Sequence, residues 1–125
     1  MNVVIKPTRE FPLLKRYKAK FAVQEGTIFA YDNVIYSDYP ISHDLVVHES
    51  TYFKQQEKYG LDEWVRRYLE EDDFRLLMEV EAYRKQLGSI NNKGKRKRIK
   101  KLCCKDLSSA LYGNLLTFDE AMKNI

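Results

Sequence analysis

The chain has 125 residues, of which 44% are hydrophobic and 32% charged. That size and balance suit one globular domain with a modest core, and no apolar run approaches the ~20 residues that a membrane span needs. The net charge of +4 hides a division: Lys93 to Lys101 hold seven basic residues and no acidic one, so the rest of the chain carries 4 − 7 = −3.

The start, Met1-Asn2-Val3-Val4-Ile5-Lys6-Pro7, is too short an apolar stretch for a signal peptide, and no small-residue cleavage site follows it. Nothing is therefore expected to direct the protein through a membrane. Phe11 to Tyr17 reads as a short helix with Pro12 in its first turn. Ala19 to Gln24 alternates loosely, Glu25-Gly26 makes a turn, Thr27 to Tyr31 follows, Asp32-Asn33 makes a second turn, and Val34-Ile35-Tyr36 closes the set. β-Branched and aromatic residues between turn pairs predict a short antiparallel meander.

Beyond Tyr39-Pro40, Ser42 is placed to cap a helix from about His43 to Lys58 that stops at Gly60, with Asp44 near its positive end. Asp62 caps a second helix, Glu63 to Leu69, and Phe74 to Leu87 forms a third, closed by Gly88. Gly88 to Gly94 is a loop by composition. Ile99, Leu102, Cys103, Leu107 and Ala110 then recur at helical spacing, and Tyr112-Gly113-Asn114 breaks that helix. Thr117 with Glu120 gives the capping-box pattern for a last helix, Phe118 to Lys123. The fold class is α+β in one domain: a β-rich part in residues 1–40, the motif helices in 41–88, and the basic segment with the C-terminal helices in 89–125. Cys103 and Cys104 are the only cysteines. Adjacent cysteines rarely pair and lack zinc-knuckle spacing, so a reduced, cytoplasmic setting is expected.

The segment with the most chemical content is His48-Glu49-Ser50-Thr51-Tyr52. Helical residues four apart share a face. In the motif H-E-x-x-H that spacing lets two imidazoles hold one zinc ion while the glutamate acts on the metal-bound water. Here His48 and Glu49 fill the first two places and Tyr52 stands where the second histidine would be. Downstream come Gln55-Gln56, Trp64, Arg67-Tyr68, Phe74-Arg75, Glu79-Val80-Glu81-Ala82-Tyr83, Leu107 to Asn114, and Phe118 to Ala121.

Together these segments resemble small HExxH zinc-metallopeptidase (zincin) proteins, many of them phage-encoded, from about Leu45 to the C-terminus, interrupted by the basic run. The resemblance implies a mostly helical zincin-like core, with His48 as a zinc ligand, Glu49 as general base and Glu79 as third ligand. Helical geometry adds its own reading. His48, Tyr52, Gln55 and Tyr59 share one stripe; Leu76, Glu79, Tyr83 and Gln86 share another. Glu81 points about 200° from Glu79, so only Glu79 is expected to face the first motif helix. His43 falls off the stripe. A catalytic zinc takes three protein ligands and one open position. A phenol with a pKa near 10 is a poor substitute for an imidazole, so zinc binding is expected to be weak or absent.

Plainer roles stand beside these. His48 could simply hydrogen-bond Glu79 with no metal. Tyr52, Tyr59, Tyr68 and Tyr83 read as packing residues whose hydroxyls meet a partner, Trp64 as an apolar anchor, and Gln55 and Gln56 as ordinary polar helix positions. Three functions follow. The first is a degenerate peptidase-like domain serving a structural or interaction role, with protein partners, in the host cytoplasm or a virion. The second is a zinc-dependent peptidase or hydrolase using His48, Glu49, Tyr52 and Glu79. The third is a nucleic-acid-associated protein working through Lys93, Lys95, Arg96, Lys97 and Arg98, although no aromatic residue lies in that run to stack on bases.

Overall fold

The computed structural model describes residues 3–125; Met1 and Asn2, where the apolar start begins, lie outside the described residues. Three short strands form one sheet in the order β1-β3-β2. Strands β2 (Phe29–Tyr31) and β3 (Val34–Tyr36) are an antiparallel hairpin closed by Asp32 and Asn33. Their φ values of 50° and 64° are the left-handed pair that a two-residue hairpin turn requires. Strand β1 (Val4–Lys6) pairs parallel with β3, setting Val4 opposite Val34 and Lys6 opposite Tyr36.

The sheet is thus mixed, and the expected meander survives only as its hairpin. Helix α1 (Leu14–Lys20) takes the first residues of the stretch read as the opening strand, and Pro12 lies before that helix. Phe21 then packs edge-on against Tyr17 and Tyr68, so aromatic packing rather than strand pairing sets this stretch. Strand β1 leaves both Val4 and Ile5 about half exposed, which gives no inside-outside alternation to read.

The rest is helical: α2 (His43–Tyr59), α3 (Leu61–Glu70), α4 (Asp72–Gly88), α5 (Lys93–Leu107), a short 3-10 turn (Ala110–Tyr112) and α6 (Phe118–Asn124). The chain is therefore α+β with a mostly helical body, as the sequence predicts. Gly60, at φ 88°, is the single residue between α2 and α3. The basic run is helical from its first residue, because Asn92 Oδ1 accepts the Lys95 amide at 2.8 Å and caps α5. The loop before it shrinks to residues 89–92. Ser42 precedes α2, but its hydroxyl donates to Asp44 instead of capping a backbone amide. Thr117 and Glu120 make both arms of the capping box on α6.

Two apolar clusters hold these elements. The larger joins Phe11, Tyr17, Phe21 and Phe29 to Trp64 and Tyr68. The smaller gathers Leu87, Ile90 and Leu107 with the free, buried thiols of Cys103 and Cys104. No helix among the described residues is long and apolar enough to cross a membrane. Between the clusters, α2 lies on α4. The buried residues of α2 are Asp44, His48, Glu49, Thr51, Tyr52, Gln55 and Gln56. Helices normally turn an apolar stripe inward. Here the stripe is polar, and each buried group needs a partner to offset its lost hydration.

Candidate functional site

Those partners come mostly from α4. Gln86 Nε2 donates to Asp44 Oδ2 at 2.8 Å, which turns Gln86 Oε1 toward His48 Nδ1 at 2.9 Å. An amide oxygen only accepts, so His48 Nδ1 carries a proton. On the other side of the ring, Nε2 lies 2.7 Å from the Tyr52 hydroxyl. That hydroxyl donates to the Glu79 carboxylate, with oxygens at 2.5 and 2.6 Å, and Tyr68 donates to the same carboxylate. Asp44, Gln86, His48, Tyr52, Glu79 and Tyr68 thus form one continuous buried chain.

Proton counting orders it. Glu79 accepts from two phenols, which suits an ionised carboxylate. Tyr52 has one proton and gives it to Glu79, so His48 Nε2 must be the donor toward the Tyr52 oxygen. His48 then holds both ring protons. Burial alone would lower its pKa, but the Glu79 carboxylate and Gln86, with Glu49 adding once it ionises, leave it raised. Burial and the Glu79 charge push the Tyr52 hydroxyl well above 10, keeping it a neutral phenol. His48 Nε2 also stands 3.4 Å from Glu79 Oε1, an ion pair read through the phenol between them.

Glu49 sits on the edge of this chain. It is 4% exposed, its Oε2 is 3.8 Å from His48 Nε2, and its Oε1 has no hydrogen-bond partner. Burial pushes its carboxyl up to about 8, with the His48 charge working against the rise and Glu79 adding to it.

The structure therefore brings His48, Glu49, Tyr52 and Glu79 together. Glu79 faces His48, as the stripe geometry requires. Glu81 departs from that geometry in one respect: though largely exposed, its carboxylate reaches back to α2 and accepts from Gln55 Nε2 at 2.8 Å. Gln55 and Gln56 are not ordinary surface positions either. Gln55 also donates to the Met78 carbonyl and accepts the Trp64 indole N–H, while Gln56 clamps the hairpin through the Ala30 carbonyl and the Asp32 amide. His43 is exposed, off the stripe. Trp64 is buried and stacks on Tyr68. Tyr83 packs edge-on against His48, with its hydroxyl on that of Tyr112.

Residues that sequence reasoning did not place in the site itself are Asp44, Tyr68, Gln86 and Arg75. The first three complete the chain. Arg75, 1% exposed, donates to the Tyr68 and Tyr112 carbonyls at 2.7 and 2.9 Å and ties α3 to the turn before α6. Asp44, Gln86 and Arg75 share one signal, a polar type on a helix face that should be apolar. Of the basic residues, Lys93, Lys95, Lys97 and Arg98 are exposed on α5, and Arg96 donates to the Ile90 carbonyl. Lys95 also lines the outer wall of a cleft that reaches His48 between α5 and Gly26 to Ile28.

Among the described residues, no group of three or more His, Cys, Asp and Glu side chains is arranged to hold a metal ion. No protein-family model matches the chain, and neither does any curated protein or solved structure compared with it.

Proposed function

We propose that this chain is a degenerate zincin-like domain, phage-encoded, in which a tyrosine proton has replaced the metal, and that it acts as a structural or interaction protein in the host cytoplasm or a virion. The observation that carries the proposal is the Tyr52 hydroxyl, held between His48 Nε2 at 2.7 Å and the Glu79 carboxylate at 2.5 and 2.6 Å. A metal joining an imidazole to a carboxylate would need that space. The phenol fills it, is neutral, and satisfies both neighbours by hydrogen bonds. As they stand, these donors do not fit a zinc ion, which takes deprotonated ligands and about 2.0–2.2 Å bonds. The motif pattern supports the family and its phage setting; partners on this reading are other proteins.

A second reading, an atypical zinc-dependent hydrolase, draws on Glu49. In this buried carboxyl Oε1 has no partner, Oε2 lies 3.8 Å from His48 Nε2, and the pKa stands near neutrality, where a general base is most effective.

Metal content after dialysis against zinc distinguishes the two, measured on the protein and on Tyr52→His. An imidazole at residue 52 is shorter than a phenol and leaves room for an ion between it, His48 and Glu79. The variant is expected to retain one zinc and to melt higher with zinc added, while the unaltered protein retains none. Stoichiometric zinc in the unaltered protein would transfer the conclusion to the second reading. Zinc in neither would remove the zincin reading.

A further inference from the structure

Helix α5 is built against its own stability. Its first turn holds no acidic residue, and the basic run occupies the positive end of the helix dipole. Lys93, Lys97, Lys101 and Lys105 follow one another at i, i+4 spacing, with Arg98 beside Lys101, so like charges are neighbours on the surface. Among the described residues no acidic side chain pairs with any of them. The packing of the helix does not use them either. Cys103, Cys104 and Leu107 make its buried face, with Ile99 beside them, while Lys95, Lys97, Arg98, Lys101 and Lys105 lie on solvent.

We infer that the solvent face of α5 is a binding surface for the phosphate backbone of duplex nucleic acid. The helix has 15 residues and is about 22 Å long. Its cations recur about every 6 Å along the axis on one exposed face. The rest of the chain sums to −3, so α5 is a local cationic surface on an otherwise mildly acidic protein. The chemistry of the face favours a duplex over other anions. No aromatic side chain stands on α5 to stack on the bases of a single strand. A lipid surface needs an apolar band beside the cations, and Leu102 is the one large apolar side chain exposed on this helix. Contacts limited to lysine and arginine on phosphate position without reading sequence, so the surface binds without base preference.

The test is anisotropy of a short labelled DNA duplex titrated with the full chain, over a range of salt. Four phosphate contacts, from Lys97, Arg98, Lys101 and Lys105, give a slope of log K against log salt of about −3.6, a loss of about 150-fold between about 50 and 200 mM salt. Two duplexes of unrelated sequence should bind alike. The variant with Lys97, Arg98, Lys101 and Lys105 changed to glutamine should lose the binding and keep its thermal midpoint. Should that variant fold poorly, the pair Lys101→Gln with Lys105→Gln gives the same answer through a slope reduced by about 2. Absence of duplex binding at low salt, a slope near zero, or binding that survives the substitutions overturns the inference. Tighter binding to vesicles containing anionic lipid, or to polyglutamate, overturns it in favour of a membrane or an acidic protein.

Discussion

Glu49 makes the stability of this fold depend on pH in one direction. Its carboxyl lies near 8 in the native state against 4.5 as its ordinary value, because burial disfavours its charge. Between those values the native protein keeps a proton that the unfolded chain releases. The stability that Glu49 contributes is therefore full below about pH 4.5, declines as pH rises, and is gone above about pH 8. At about 1.36 kcal/mol per unit the whole window is worth about 4–5 kcal/mol, of which about 3 is lost by pH 7. That is a large share of the ~5–15 kcal/mol that holds a domain together. Glu49→Gln keeps the shape and removes the titration. Its amide would leave an N–H without an acceptor, a fixed cost of about 1–3 kcal/mol at every pH. The informative quantity is thus the difference between variant and parent, which should shift in favour of the variant by about 3 kcal/mol from pH 5 to pH 7.5. Urea unfolding at several pH values, followed by the fluorescence of the single tryptophan Trp64, measures it. Two stability curves that run parallel across this range would show that Glu49 ionises freely in the folded protein and would refute the reasoning.

Tyr52→Phe removes the hydroxyl that joins His48 to Glu79 and leaves two buried charged groups without their shared partner. It should cost about 3–5 kcal/mol, far more than a methyl-sized change, and urea midpoints would report it. A cost under about 1 kcal/mol would mean that His48 and Glu79 close directly on each other. Gly113 has φ 89°, and a side chain there would meet Arg75 Nη2 at 3.1 Å. Gly113→Ala should therefore cost about 1–3 kcal/mol through backbone strain and displacement of the buried guanidinium, read as a lower thermal midpoint. Gly26→Ala is the control, with comparable φ but open space around it, and should cost less.

The parts legible in the sequence were those set by local chemistry. Asp32-Asn33 named its own turn, Thr117 and Glu120 their own cap, and the four-residue spacing from His48 to Tyr52 placed both on the face that meets Glu79. The parts that were not legible depend on tertiary partners. The parallel strand Val4–Lys6 has neither length nor alternation. The stretch from Phe21 is fixed by rings far along the chain. Gln55 and Gln56 look like surface residues until the Trp64 indole, the Met78 carbonyl and the hairpin are brought to them. Glu81 points away from α2 by its Cα direction, and only its long side chain returns.

The polar seam between α2 and α4 also determines how the two helices can slide. An interface of leucines would tolerate a shift of one turn, about 5.4 Å, because one methyl group serves nearly as well as the next. Here such a shift would part Gln86 from Asp44, His48 from Gln86, and Glu79 from Tyr52 in a single step. Every intermediate alignment strands several buried groups at once. The seam behaves as a keyed joint with one seating. That property belongs to the hydrogen-bond pattern itself and would persist in a protein that had given up both metal and substrate.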